Sequence, residues 1–155
     1  MNAVYRELEG KLEGAGRYAT LLAEHTTLQV GGPADMIIIP ATVGDLERTI
    51  KFAERHDIPL VVIGNGSNTL FPDAGFRGIV LKLRGGLDRI EFAGEKVIVG
   101  AGALLPNLLV ALEKQRLCGL EFMAGVPATL GGAVAMNFAA FGKEIGSFVI
   151  GIKVV

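Results

Sequence analysis

Tryptophan is missing from this chain, and histidine and cysteine are scarce, with two of one and one of the other in 155 residues. A single cysteine, Cys118, excludes an intrachain disulfide and any cysteine-cluster metal site. It follows an apolar helical pattern, so a buried, inert thiol is expected. No His, Cys, Asp or Glu spacing suits a metal ion. No apolar run approaches the ~20 residues that a membrane helix needs. Residues 1–7 lack the basic-then-apolar order of a signal peptide, so the expected compartment is the cytoplasm. Neither sign of charge dominates. Fifteen Lys and Arg against 16 Asp and Glu leave a net charge of -1, which offers nothing to nucleic acid or an anionic membrane.

Apolar residues and glycine are in excess. Half of the residues are hydrophobic, and the mean hydropathy is +0.47. The apolar runs are short and broken, so they read as the core of one domain. The surplus suits an uncovered face, and with it a homodimer or a separate partner chain. Glycine occurs 22 times, well above its average share of about 7%. It clusters at the ends of apolar runs, which implies tight loops and close backbone approaches.

The chain is organised around residues 59–70, an apolar β-branched run that stops on Gly64-Asn65-Gly66-Ser67-Asn68-Thr69-Leu70. The run reads as a buried strand. Successive N–H groups in such a loop can converge on an anion, and Ser67, Asn68 and Thr69 add side-chain donors. The loop lacks the Gly-Lys-Ser/Thr ending of a triphosphate loop, and no helix follows as a dinucleotide fingerprint requires. Taken alone it is either a phosphate cradle between strands or a plain glycine turn.

Along the chain, the spacing of Val4, Leu8 and Leu12 predicts a helix over 2–13. Residues 36–40 read as a buried strand. Thr42 can cap a helix over 43–56 that presents Leu46, Ile50 and Ala53 on one face. With the strand before Gly64 this makes a parallel βαβ unit. Residues 78–83 read as a further strand, and 88–99 as a hairpin around Gly94-Glu95. Pro106 fits the first turn of a helix that carries Leu108, Leu109 and Leu112 and stops near Gly119. From Ala128 or Thr129 a helix of small residues is expected. Either its N-terminal N–H groups face an anion or an electron-rich edge, or it is buried between two layers. Residues 148–155 read as a strand, with Ser147 at its start.

In combination the motifs are specific. Thr26-Thr27-x-x-x-Gly31-Gly32-Pro33-Ala34-Asp35, the Gly64–Asn68 loop, Gly125-Val126-Pro127-x-x-x-Gly131-Gly132-Ala133-x-x-Met136-Asn137 and Gly142-x-Glu144-Ile145 resemble the UDP-N-acetylenolpyruvoylglucosamine reductase family. The resemblance implies an α+β protein with the vanillyl-alcohol-oxidase/PCMH-type FAD-binding fold. That fold would pair a small parallel βαβ subdomain, about 21–84, with a mixed or antiparallel one, about 85–155, after an N-terminal lead-in at 1–20. The cofactor it implies is FAD, with NADPH as electron donor in peptidoglycan precursor synthesis.

Residue by residue, the resemblance places the FAD pyrophosphate on Gly64, Asn65, Gly66, Ser67 and Asn68, flanked by Thr69 and Leu70. It lays Ala124, Gly125, Val126, Pro127, Ala128, Gly131, Gly132 and Ala133 along the isoalloxazine and ribityl portions. Asn137, Gly142 and Ile145 would complete the pocket on the adenosine side. Phe141 departs from the family pattern, which usually has tyrosine, and so lacks a hydroxyl.

In the family a substrate domain supplies a serine proton donor, a glutamate and an arginine, and no residue here matches any of them. His25 and His56 are lone histidines, and Glu121 suits a rim or capping role. No catalytic residue is therefore assigned. The expected function is an FAD-binding module that does not turn over the cell-wall substrate. The alternatives are a complete small flavin oxidoreductase acting with a partner or as a dimer, and a structural domain that has lost its cofactor.

Overall fold

The computed structural model describes residues 3–155. Its principal sheet has four strands: β1 (Ala15–Leu21), β2 (Pro33–Ile39), β3 (Leu60–Ile63) and β4 (Phe76–Lys82), in the spatial order β1-β2-β4-β3. β1 runs antiparallel to β2, and β4 is parallel to both of its neighbours. β2 and β3 are thus parallel, as a βαβ unit predicts, but β4 lies between them. The central strand is Ile79-Val80-Leu81, wholly buried and β-branched or aliphatic on both faces.

The two faces of the sheet have different covers. Met36, Ile38, Ile79 and Leu81 pack against helix α1 (Ala3–Glu9) and helix α2 (Val43–Arg55) through Tyr5, Leu8, Phe52 and Ala53. On the other face Ala34, Ile37, Ile63 and Val80 pack against Leu22 and Phe71, which belong to connecting segments. Against the two steps from Ala34 to Met36 on β2, β4 takes three from Phe76 to Ile79, so β4 carries one extra residue there. The helices hold one side, and the other is left to loops.

α2 starts where Thr42 predicts: the Thr42 hydroxyl accepts a hydrogen bond from the Asp45 N–H at 3.2 Å. Asp45 itself is fully buried. Its carboxylate accepts from the N–H groups of Glu13 (3.0 Å), Gly14 (2.8 Å) and Ala41 (2.9 Å), and from Arg48 at 2.9 Å. Burial alone would raise its pKa. The hydrogen bonds from Glu13, Arg48, Ala41 and Gly14 outweigh that and hold it at about 2. This carboxylate ties the α1–β1 connection to the end of β2.

The rest of the chain forms the hairpin β5 (Ile90–Ala93) and β6 (Lys96–Val99), helix α3 (Leu105–Lys114), the short helix α4 (Leu130–Ala135) and the two-residue strands β7 (Ala139–Ala140) and β8 (Lys143–Glu144). Leu105, Phe122, Met123, Ala133 and Ile145 make its core. Gly94 sits at φ +63° in the hairpin turn, as the sequence requires.

Several expectations are corrected. α1 ends at Glu9 because Gly10 is followed by tight turns, Lys11 N–H to Leu8 and Leu12 N–H to Glu9; Asn2 lies outside the described residues. β1 was not foreseen. Its Gly, Arg and Thr content hides a strand whose residues alternate between exposed and half-buried. α3 stops at Lys114 rather than near Gly119, where Arg116 turns into the left-handed region at φ 57°. Cys118 lies in the loop beyond that end and is exposed, not buried. The strand expected over 148–155 is irregular, since no strand among the described residues runs beside it to complete a ladder. Ile150, Ile152 and Val154 are consequently exposed, and Ser147 sits in the short 3-10 turn Ile145–Phe148.

Candidate cofactor site

β3 delivers the glycine loop to the loop-covered face of the sheet. From residue 64 to residue 68, no backbone N–H donates to another group of the chain among the described residues. Gly66 is nevertheless buried. Gly64, Asn65 and Ser67 are half-buried and Asn68 is exposed, so these amides are open to an acceptor from outside the chain. No acidic residue lies in 59–70, and Ser67, Asn68 and Thr69 carry only uncharged polar groups. The donor set fits a pyrophosphate.

Neighbouring segments fix the shape of this loop. A Cβ on Gly64 would run into the Thr129 side chain, and one on Gly66 would run into the His25 carbonyl. Gly66 also has φ +70°, a region costly to residues with a Cβ. The Gly66 carbonyl accepts from the Thr27 N–H at 3.0 Å. The Asn65 side-chain amide donates to the Pro127 carbonyl at 2.8 Å. Residues 25–27, 64–66 and 127–129 thus meet in one place although they are far apart in sequence. Leu70 is largely exposed at 71%.

The second glycine segment behaves differently. The N–H groups of Leu130 and Gly131 donate to the Ala103 and Ala101 carbonyls at 2.8 and 2.9 Å. Those of Gly132 and Ala133 donate to the Thr129 hydroxyl and carbonyl at 3.2 and 2.9 Å. The start of α4 is therefore satisfied by the chain, and of the α4 residues only Ala133 is buried. Gly131 lies so close to Ala101 that a Cβ would approach its carbonyl to 2.8 Å. Ala128 holds the start of α3 by accepting from the Leu105 N–H at 2.9 Å. Ala124, Gly125 and Pro127 are exposed, Val126 is half-buried, and Gly125 has φ +78° with open space at its Cβ position. This stretch offers a ligand a smooth small-residue surface and little hydrogen bonding.

The three outlying residues are placed as follows. Asn137, at φ 44°, donates to Glu144 at 3.0 Å and accepts from the Gly146 N–H at 3.0 Å, so its side chain organises the following turn. Ile145 is in the core beside Ala133. Gly142 lines a hollow of about 400 Å³ with Ala139, Lys143, Glu144, Ser147 and Phe148, which no residue of the 64–70 loop borders. Phe141 is 92% exposed. Glu121 accepts from the Gly119 N–H at 2.8 and 2.9 Å, a capping role that lowers its pKa. His56 caps the end of α2 against Phe52, with ring centroids 4.4 Å apart.

Sequence reasoning missed Lys82. It ends β4 beside Ile63, is only 6% exposed, and places its ammonium 3.3 Å from His25 Nδ1 and 3.4 Å from the His25 carbonyl. A lysine at the end of an apolar strand reads as a solvated terminus, and nothing local in the sequence points to a partner 57 residues away. Among the described residues, no group of three metal-binding side chains occurs, and no helix is long and apolar enough to cross a membrane.

Known proteins resemble this chain over most of its length. A family profile described as "FAD binding domain" matches residues 34–155. The UDP-N-acetylenolpyruvoylglucosamine reductase of Bacillus velezensis is 40% identical over 154 residues, which is 99% of this chain and 51% of that protein. The crystal structure of the corresponding reductase from Thermus caldophilus superposes with a TM-score of 0.69 at 37% identity, over 86% of this chain and 45% of that one. An alkyldihydroxyacetonephosphate synthase shares the fold at 20% identity, with a TM-score of 0.65 over 88% of this chain and 29% of that one. The α+β, vanillyl-alcohol-oxidase-type FAD-binding fold is therefore the fold of this chain. The chain spans about half the length of the curated relatives it matches. It belongs to the FAD binding domain family, whose cofactor is FAD, and corresponds to the FAD-binding portion of the UDP-N-acetylenolpyruvoylglucosamine reductases.

Proposed function

We propose that the 64–68 amides hold the FAD pyrophosphate, with Thr69 and Leu70 at the edge of the same cradle. The observation that carries this reading is the run of bare N–H groups around buried Gly66. Ala124, Gly125, Val126, Pro127 and Ala128 form the surface along which the flavin lies, and Gly131 and Gly132 let that surface come close to the rest of the chain. Ala133 and Ile145 support it from the core, while Asn137 and Gly142 shape the turn on its far side.

A bound flavin supplies the hydride chemistry, and the protein supplies position and exclusion of water. The reaction in which this module serves is the NADPH-dependent reduction of a peptidoglycan precursor, in the cytoplasm. Reducing an enol ether also needs a positioned proton donor. Ser67 is assigned here to the pyrophosphate and no glutamate or arginine lies in 64–70, so turnover requires residues from a partner chain or further polypeptide.

Reconstitution with FAD followed by gel filtration tests the binding. A yellow protein with about one flavin per chain is expected. A protein that stays colourless in excess FAD overturns the reading. Anaerobic NADPH should bleach the flavin bound to this chain slowly. Fast bleaching by this chain alone would favour a self-sufficient oxidoreductase.

A further inference from the structure

Lys82 is buried, and none of the ion pairs among the described residues includes it. A buried ammonium without a carboxylate is costly. Among the described residues its hydrogen-bonding neighbours are His25 Nδ1 at 3.3 Å and the His25 carbonyl at 3.4 Å. An ammonium can only donate, so Nδ1 accepts and the neutral ring carries its proton on Nε2. That Nε2 is buried and has no partner. The pair thus keeps two surplus donors, the Nε2–H and a third ammonium N–H, and has no acceptor left. Burial, with the charge of Arg84 acting in the same direction, pushes the Lys82 pKa down. Glu24 and Arg17 are the other charges that act on His25.

The pair is joined directly to the glycine loop. The His25 carbonyl that receives the ammonium is the same oxygen that a Cβ on Gly66 would strike. The adjoining Thr27 N–H holds the Gly66 carbonyl at 3.0 Å. One carbonyl group therefore lies between the Lys82 ammonium and Gly66, the centre of the loop.

We propose that Lys82, set by His25, is the counter-charge of the 64–68 loop and selects for a ligand that carries a diphosphate. This rests on the reading that the loop holds a pyrophosphate. The amides give direction, and the ammonium gives charge in a site where every neighbouring loop side chain is neutral. An anion in the cradle compensates the buried cation, which without it destabilises the fold.

Lys82→Met tests this, because it keeps the length of the side chain and removes the charge. Three readouts are compared with the unaltered protein: FAD affinity by flavin fluorescence, the thermal shift given by inorganic pyrophosphate, and the Tm of the ligand-free protein. FAD Kd should rise about tenfold or more, the scale of losing one charged contact. The pyrophosphate shift should vanish. The ligand-free Tm should stay level or rise, which a merely structural lysine would not allow. An unchanged FAD Kd, a retained pyrophosphate shift, or a K82M protein that melts lower or does not fold each overturns the inference. Unaltered protein that binds FAD but shows no pyrophosphate shift also overturns it while leaving the FAD reading intact. Unaltered protein that binds no FAD removes the FAD reading, and this inference with it.

Discussion

Two sets of backbone N–H groups in this molecule differ in whether the chain fills them. The amides of Glu13, Gly14 and Ala41 close on the Asp45 carboxylate, a side chain of the same chain. The 64–68 amides donate to nothing among the described residues. The first set is a joint. The second is the proposed pyrophosphate cradle. An N–H cluster completed from within stabilises the fold, and one left open makes stability depend on a ligand. The comparison also separates the two glycine segments, because the N–H groups at the start of α4 have partners within the chain and those after β3 do not.

The strongest way to break the comparison is to empty the joint. Asp45→Ala leaves three amides without their acceptor and Arg48 with Glu13 alone, and should lower unfolding free energy by about 3 kcal/mol or more. Denaturant titration would measure this, and the FAD affinity of the remaining folded protein should be unchanged. A fall in affinity beyond the loss of folded protein would show that the two sets are coupled.

Gly66→Ala applies the opposite insult. The new Cβ meets the His25 carbonyl at a positive φ, so the loop must move. FAD Kd should rise about 100-fold, equivalent to one or two charge-assisted contacts at about 1.5–3 kcal/mol each. The ligand-free protein should lose about 1–2 kcal/mol from the left-handed backbone, and more as the loop shifts off the His25 carbonyl. Equilibrium dialysis against FAD and a ligand-free melt give the two numbers. Equal losses in both would make the loop structural.

Acid separates the sets without mutation. Asp45 has a folded pKa of about 2, below its ordinary 3.8. Its contribution is therefore complete above about pH 4 and disappears as pH falls through 2. About 2 kcal/mol should be lost across that window, visible as a falling denaturation midpoint. Asp45→Asn should flatten that part of the profile.

Asn65→Ala is the mildest probe. It removes the 2.8 Å bond to the Pro127 carbonyl that joins the loop to the flavin-facing surface. Flavin affinity should fall by about 1 kcal/mol, or roughly fivefold, with little change in the ligand-free Tm.

Much of this organisation is legible in the sequence. The Thr42 cap, the apolar strands around 36–40 and 78–83, the Gly94 turn and the glycine loop after β3 are all local patterns, written in adjacent residues. What is not legible depends on partners distant in the chain. Asp45 reads as an ordinary first-turn acid until Gly14, 31 residues away, is found to donate to it. His25 and Lys82 look like solvated residues until folding brings them together. Glycine content at 131–132 resembles that at 64–66, yet only the surroundings reveal that Ala101 and Ala103 already occupy the α4 amides. The strand expected at 148–155 shows the converse: alternation gives a segment the capacity for pairing but cannot provide the neighbour.

The irregularity between Ala34 and Met36 has a consequence for how this protein tolerates change in length. It gives β4 one residue more than β2, with three steps from Phe76 to Ile79 against two from Ala34 to Met36. Removing one residue of β4 there would shift its upstream end against β2 and displace Arg77, the partner of Asp35 at 2.9 Å. Single-residue deletions should therefore be tolerated at the exposed Gly94-Glu95 turn and rejected at 76–79, although both stretches are short.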